Sequence, residues 1–169
     1  FKRSYLTATG GYTLPSGVSR YKSLVVGGGG GGGSMVGGGG GAGGFTSSQA
    51  ATFNSNVVRV VVGQGGVGSY LTADTDSYTN NGVVRVSNNG HASAIGPISV
   101  SGGGRGSNHD ANQVRLTLAQ AIPLSGGSGG GGGGLNDSIT VRTGASGTAG
   151  QGFSGGTATS GVWQSSGGG

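Results

Sequence analysis

The chain has no cysteine and no glutamate, and only 3 prolines, 1 methionine and 1 tryptophan in 169 residues. Without cysteine there is no disulfide framework and no thiolate metal site, although this leaves the compartment open. Charged residues make up 8% of the chain, too few for a charge-extended disordered tail and thin material for acid/base catalysis. No window holds 18 apolar residues, so no apolar stretch is long enough for a membrane span. Helical periodicity is also missing, and glycine, which costs about 1 kcal/mol per helical position relative to alanine, is everywhere. Collagen is excluded as well, because it needs glycine at every third position and abundant proline.

What the chain does have is glycine, 46 residues of it, in blocks. The blocks are Gly27 to Gly33, Gly37 to Gly41, Gly102 to Gly104, Gly129 to Gly134 and Gly167 to Gly169. Such runs have no side chain to bury and the largest backbone entropy to lose, so by default they are flexible coil. The alternative is mutual support. Polyproline-II-like segments make no internal hydrogen bonds and rise about 3.1 Å per residue, so Gly27 to Gly33 would form a rod of roughly 22 Å. Without Cβ atoms, several such rods can lie side by side and satisfy one another's amides. The expected fold class is all-β: short antiparallel strands combined with packed polyglycine-II segments and no substantial helix.

Between the blocks lie β-branched runs. Ser4 to Thr9 and Tyr12 to Leu14 read as two short strands around a Gly10-Gly11 turn, with Tyr5 and Tyr12 packing across the pair. Val18 to Val26 reads as a strand whose far end is buried. Ser34-Met35-Val36 reads as a turn capping the rod ends. Phe45 to Asn56 is a loop or short strand, and Asn56 to Val62 is the strongest strand signal. Further strands are expected over 83–86, 98–101, 113–118 and 138–142. The whole is expected to be a single glycine-rich domain over 1–169. Within it come opening strands over 1–26, first rods over 27–68, a loop-and-strand middle over 69–123 and a second glycine-rich part over 124–169. The beginning at Phe1 and the end within a glycine run fit a piece of a longer chain.

Little here assembles into a catalytic site. Gly63-Gln64-Gly65-Gly66-Val67-Gly68 fits the dinucleotide fingerprint, but neither the helix nor the distal acid it requires follows. Asp74-Thr75-Asp76-Ser77-Tyr78 spaces carboxylates as calcium loops do, yet lacks the glycine and distal glutamate of an EF-hand. Arg105 within Gly102 to Gly106 is similar to arginine-glycine RNA-binding segments, but phosphate binding of that kind needs many such charges. The net charge of +5 suits an anionic partner such as lipopolysaccharide or nucleic acid, or simple solubility. No enzyme, metal or cofactor is expected. The loops over 69–81, 87–96 and 105–112 carry amphipathic aromatics and amides suited to polar ligands such as sugars: Tyr70, Tyr78, Asn80, Asn88, His91, Asn108, His109 and Asp110. Ordinary turn formation accounts for the same residues equally well.

The motif order Tyr12-Thr13-Leu14-Pro15-Ser16-Gly17-Val18, Leu24-Val25-Val26 into Gly27 to Gly33, then Val60-Val61-Val62-Gly63-Gln64-Gly65-Gly66, resembles the glycine-rich domain of bacteriophage tail fibres and related surface adhesins. The resemblance covers residues 12 to about 134. It implies a rigid glycine scaffold presenting variable loops to a host surface glycan or outer-membrane protein, on a virion or a cell surface. It also implies a homo-oligomer, a trimer, or assembly with other virion proteins. A structural subunit of an extracellular filament, sheath or virion assembly is the alternative, and an ice-binding bundle a more distant one.

Overall fold

The hydrogen-bond phase of the glycine segments fixes the architecture. The computed structural model describes residues 3–72, 83–108, 116–133, 142–159 and 164–169. In it the amides of Gly27, Gly30 and Gly33 donate to the carbonyls of Gly44, Gly41 and Gly38, while those of Gly28 and Gly31 donate to His91 and Asn88. The carbonyls of Gly29 and Gly32 accept from Gly66 and Ser69. Every third residue addresses the same neighbour, which is the geometry of a polyglycine-II helix with three residues per turn and no internal bonds. The rods exist, and they are bonded sideways.

The segments taking part are 27–33, 37–44, 63–69, 87–92, 101–108, 121–125, 126–133, 142–148, 152–158 and 164–169, and each runs opposite to the one before it. Their partners lay them out in three layers. The first holds 63–69, 27–33, 37–44 and 164–169, the second 87–92, 101–108, 126–133 and 152–158, and the third 121–125 and 142–148. Segment 126–133 lies at the centre and exchanges bonds with six neighbours. Gly127 donates to Gly102, Ser128 to Ala42, Gly129 to Phe153 and Gly130 to Leu124, while Gly130 accepts from Ala145 and Gly132 from Ser166. Rods this close leave no room for side chains. A Cβ on Gly30 would lie 2.2 Å from the Gly104 carbonyl oxygen, and one on Gly38 1.9 Å from that of Gly131. Neither glycine has a positive φ, so close approach, not backbone conformation, demands glycine there.

Strands attach at the end of the bundle that holds Gly27 and Gly44. These are β1 (Gly10–Thr13), β2 (Tyr21–Val26), β3 (Phe45–Ala51) and β4 (Val57–Val61), followed later by β7 (Ser93–Ile95) and β8 (Ile98–Val100). At the opposite end, β5 (Tyr70–Thr72) pairs with β6 (Val83–Arg85). A four-stranded antiparallel sheet has the order β1-β4-β7-β8, with Gly10 opposite Val60 and Ser93 opposite Val100, and β2 pairs β3 separately. The alternation of β4 turns Val58 and Val60 inward and leaves Val57 and Arg59 exposed, as a half-buried strand should. Val25, Ala51 and Val100 complete the small core at this end, and Ala121 and Ala158 are the buried apolar residues among the rods.

Several expectations need correction. Gly10-Gly11 is not a turn but the start of β1, recruited by the valines of β4. In β2 only Val25 is buried while Leu24 and Val26 face out, because the strand has one covered face. Ser34-Met35 does turn the chain, with Gly37 donating to the Ser34 carbonyl, but Met35 is 44% exposed and caps nothing. The 87–92 and 105–108 stretches are rods rather than loops. The strand expected over 113–118 fails in its described part, since a short helix, α1 (Leu118–Ala121), begins there. The Thr117 side chain and Gln120 bond each other locally, which favours a turn over extension. Of the strand expected over 138–142 only Arg142 lies within the described residues, and it opens a rod.

Candidate functional site

Because successive rods alternate in direction, the chain repeatedly leaves the same end of the bundle. It departs after Gly33, Ser69, Asn108, Gly133 and Thr159 and returns at Gly37, Ser87, Ala121, Arg142 and Gln164. Most of the binding residues proposed from sequence belong to these departures. Tyr70 opens β5 opposite Arg85 and is 48% exposed, and Asn88 is exposed one residue into its rod. His91 is exposed as well, but its carbonyl accepts from Gly28, toward the strand end. Tyr78, Asn80, His109 and Asp110 lie outside the described residues, as does the Asp74 to Tyr78 stretch.

Asn108 is the exception, because its side chain is fully buried. Its Oδ1 accepts from the Ser87 amide at 3.1 Å and the Ser87 hydroxyl at 2.8 Å, and its Nδ2 donates to the Gln120 carbonyl at 2.7 Å. A side chain so engaged and fully buried ties rods together and is out of reach of a ligand. Ser107, also fully buried, accepts the Gly38 amide through its hydroxyl at 2.9 Å.

Two guanidinium groups brace the same end. Arg105 donates to the carbonyls of Ser87 at 3.2 Å and Ala119 at 2.6 Å, and Arg142 donates to those of Asn108 and Ala121. Burial pushes the Arg105 pKa below its ordinary value, because desolvation penalises the charged form. Held inside the bundle, Arg105 cannot act as an arginine-glycine contact to a phosphate backbone. Sequence reasoning missed this polar floor. Its signal was there: Ser87, Ser107 and Asn108 replace glycine where runs begin or end.

The fingerprint-like stretch 63–68 lies within the rod 63–69, which leads into β5 rather than a helix. Among the described residues no group of three or more His, Cys, Asp or Glu side chains could hold a metal ion, and no helix is long and apolar enough to cross a membrane. The far end therefore offers a rigid, backbone-bonded platform edged by exposed amide and aromatic side chains. No match to the chain is found among curated proteins or solved structures. A glycine-rich domain family matches residues 7–169, nearly the whole chain, and the protein belongs to that family.

Proposed function

We propose that this chain is a non-enzymatic domain of a phage tail fibre or surface adhesin, and that it holds recognition loops against a host surface glycan or outer-membrane protein. The observation that carries this reading is the shared end of the alternating rods. Anchoring both feet of a loop in a hydrogen-bonded lattice removes part of the entropy it would otherwise lose on binding, and loop sequences can vary while the platform stays fixed. Tyr70 and Asn88 stand at the feet of one such departure, and Tyr78, Asn80, His109 and Asp110 belong by sequence to that one and the next. Binding of the isolated chain to a glycan array and to a panel of bacterial cells tests the proposal. Saturable binding that disappears when 73–82 and 109–115 become Gly/Ser linkers of equal length supports it. Binding that survives both replacements, or no binding to any surface, overturns it.

A second reading has its own observation. Much of the exposed surface of the first layer is bare backbone: Gly29, Gly65, Gly68, Ala42 and Gly167 are exposed, and a Cβ on Gly29 or Gly167 would meet nothing within 3.7 Å. The Gly29 and Gly32 amides donate to no partner among the described residues. A face of this kind suits stacking of further rods, as a filament or sheath subunit requires. Assembly without ligand, blocked by Gly29→Lys in sedimentation velocity, would favour it over the adhesin.

A further inference from the structure

The strand end, opposite the proposed recognition loops, combines exposed apolar side chains with cations that have no acid beside them among the described residues. Tyr5 is 78% exposed, Leu24 68%, Val57 55%, Val26 54% and Phe45 52%, and patches of large exposed apolar residues mark interaction sites. Arg3, Arg20, Lys22 and Arg59 are exposed at the same end. The chain's four acids, Asp74, Asp76, Asp110 and Asp137, lie outside the described residues, in stretches that leave and rejoin the bundle at its other end.

A cleft of about 760 Å³ runs along β2, which lines it with both of its faces, and is closed by Arg3 and Tyr5 of the opening stretch and by Val60 and Ile95 of the four-stranded sheet. That volume and an apolar lining edged by a few polar groups are usual for a ligand site. Lys22, Leu24 and Val26 share one strand face, since exposure along β2 alternates, so the cation and the apolar pair address one occupant.

Charge selects that occupant. A second copy of this chain that brought the same face here would set Arg3, Arg20, Lys22 and Arg59 against the same cations, and like-charge juxtaposition disfavours that pairing. A flat bilayer surface fits a concave cleft poorly. We propose that the cleft receives an extended segment of a different protein, in which apolar residues that fill the groove alternate with acidic residues that meet Arg3 and Lys22. This site is independent of the far-end loops and stands whether or not they bind a receptor.

Selection from a random dodecapeptide display library on the full chain tests it. Enrichment of Asp and Glu interleaved with Val, Leu or Phe is expected. The synthesised consensus peptide should bind saturably and lose roughly tenfold affinity or more with Lys22→Glu plus Leu24→Ser. Both positions are exposed, so the melting temperature should hold; should it fall, Arg3→Glu alone serves as the second variant. The proposal is overturned by no enrichment, by enrichment of basic or uncharged peptides, or by equal binding to the variants. Self-association through this face, or tighter binding to phosphatidylglycerol vesicles than to the peptide, also overturns it.

Discussion

A methyl group added at Gly30 would sit 2.2 Å from the Gly104 carbonyl oxygen, whereas one added at Gly29 would meet nothing closer than 3.8 Å. Neighbouring glycines in one run therefore have different reasons to be glycine. Gly30→Ala must push two rods apart and should cost about 3 kcal/mol or abolish folding, while Gly29→Ala should change stability by less than about 0.5 kcal/mol. Urea unfolding of both variants checks the contrast, and equal effects would mean that the rods are not in contact. Met35 presents the reverse case. Among the described residues it is the non-glycine one with positive φ, at 55°, and an L side chain there costs roughly 1–2 kcal/mol. After the entropy of a new glycine is counted, Met35→Gly should stabilise by about 0.5–1 kcal/mol, read as a higher urea midpoint.

Among the rods, protection from amide exchange should follow a period of three. Gly27, Gly28, Gly30, Gly31 and Gly33 donate to neighbouring rods, whereas Gly29 and Gly32 donate to none among the described residues. Hydrogen exchange followed by NMR should show slow pairs separated by fast amides; uniform exchange through 27–33 would deny the lattice. Where rods meet at the far end, Asn108 joins 101–108 to Ser87 and Gln120. Asn108→Ala would strand the buried Ser87 amide and remove the donor to the Gln120 carbonyl, while the Ser87 hydroxyl keeps the Gly106 carbonyl, and should destabilise by about 2 kcal/mol, measured by thermal melting. No loss of stability would restore Asn108 to the set of free binding residues.

Taken whole, the molecule has a hydrophobic core with no described buried apolar side chain larger than valine. Its cohesion comes from peptide groups bonded across rods. Exposure of apolar surface raises the heat capacity on unfolding and exposure of peptide surface lowers it, giving about 12–15 cal/mol/K per residue in ordinary domains. This protein should fall below that range in scanning calorimetry. A value inside it would require more buried apolar surface than the described residues contain. The same architecture sets the points where the chain leaves the bundle at one end and a cationic apolar cleft at the other, with the hydrogen-bonded rods between them.

The glycine blocks made sideways-bonded rods the favoured alternative to flexible coil. A run such as Gly27 to Gly33 can be ordered only if backbone bonds backbone, and the strong strand at Val57–Val61 follows from β-branching. Which rod lies beside which could not be read, because glycine carries no side chain to encode a partner and any three-residue phase looks like any other. Hence Ser87 to Ala92 and Arg105 to Asn108 read as loops, and Asn108 as a surface amide. The sequence by itself determined that the chain builds sideways-bonded glycine helices with short strands. Only tertiary structure decided their order, direction and shared end, since those depend on contacts between backbones that are chemically alike.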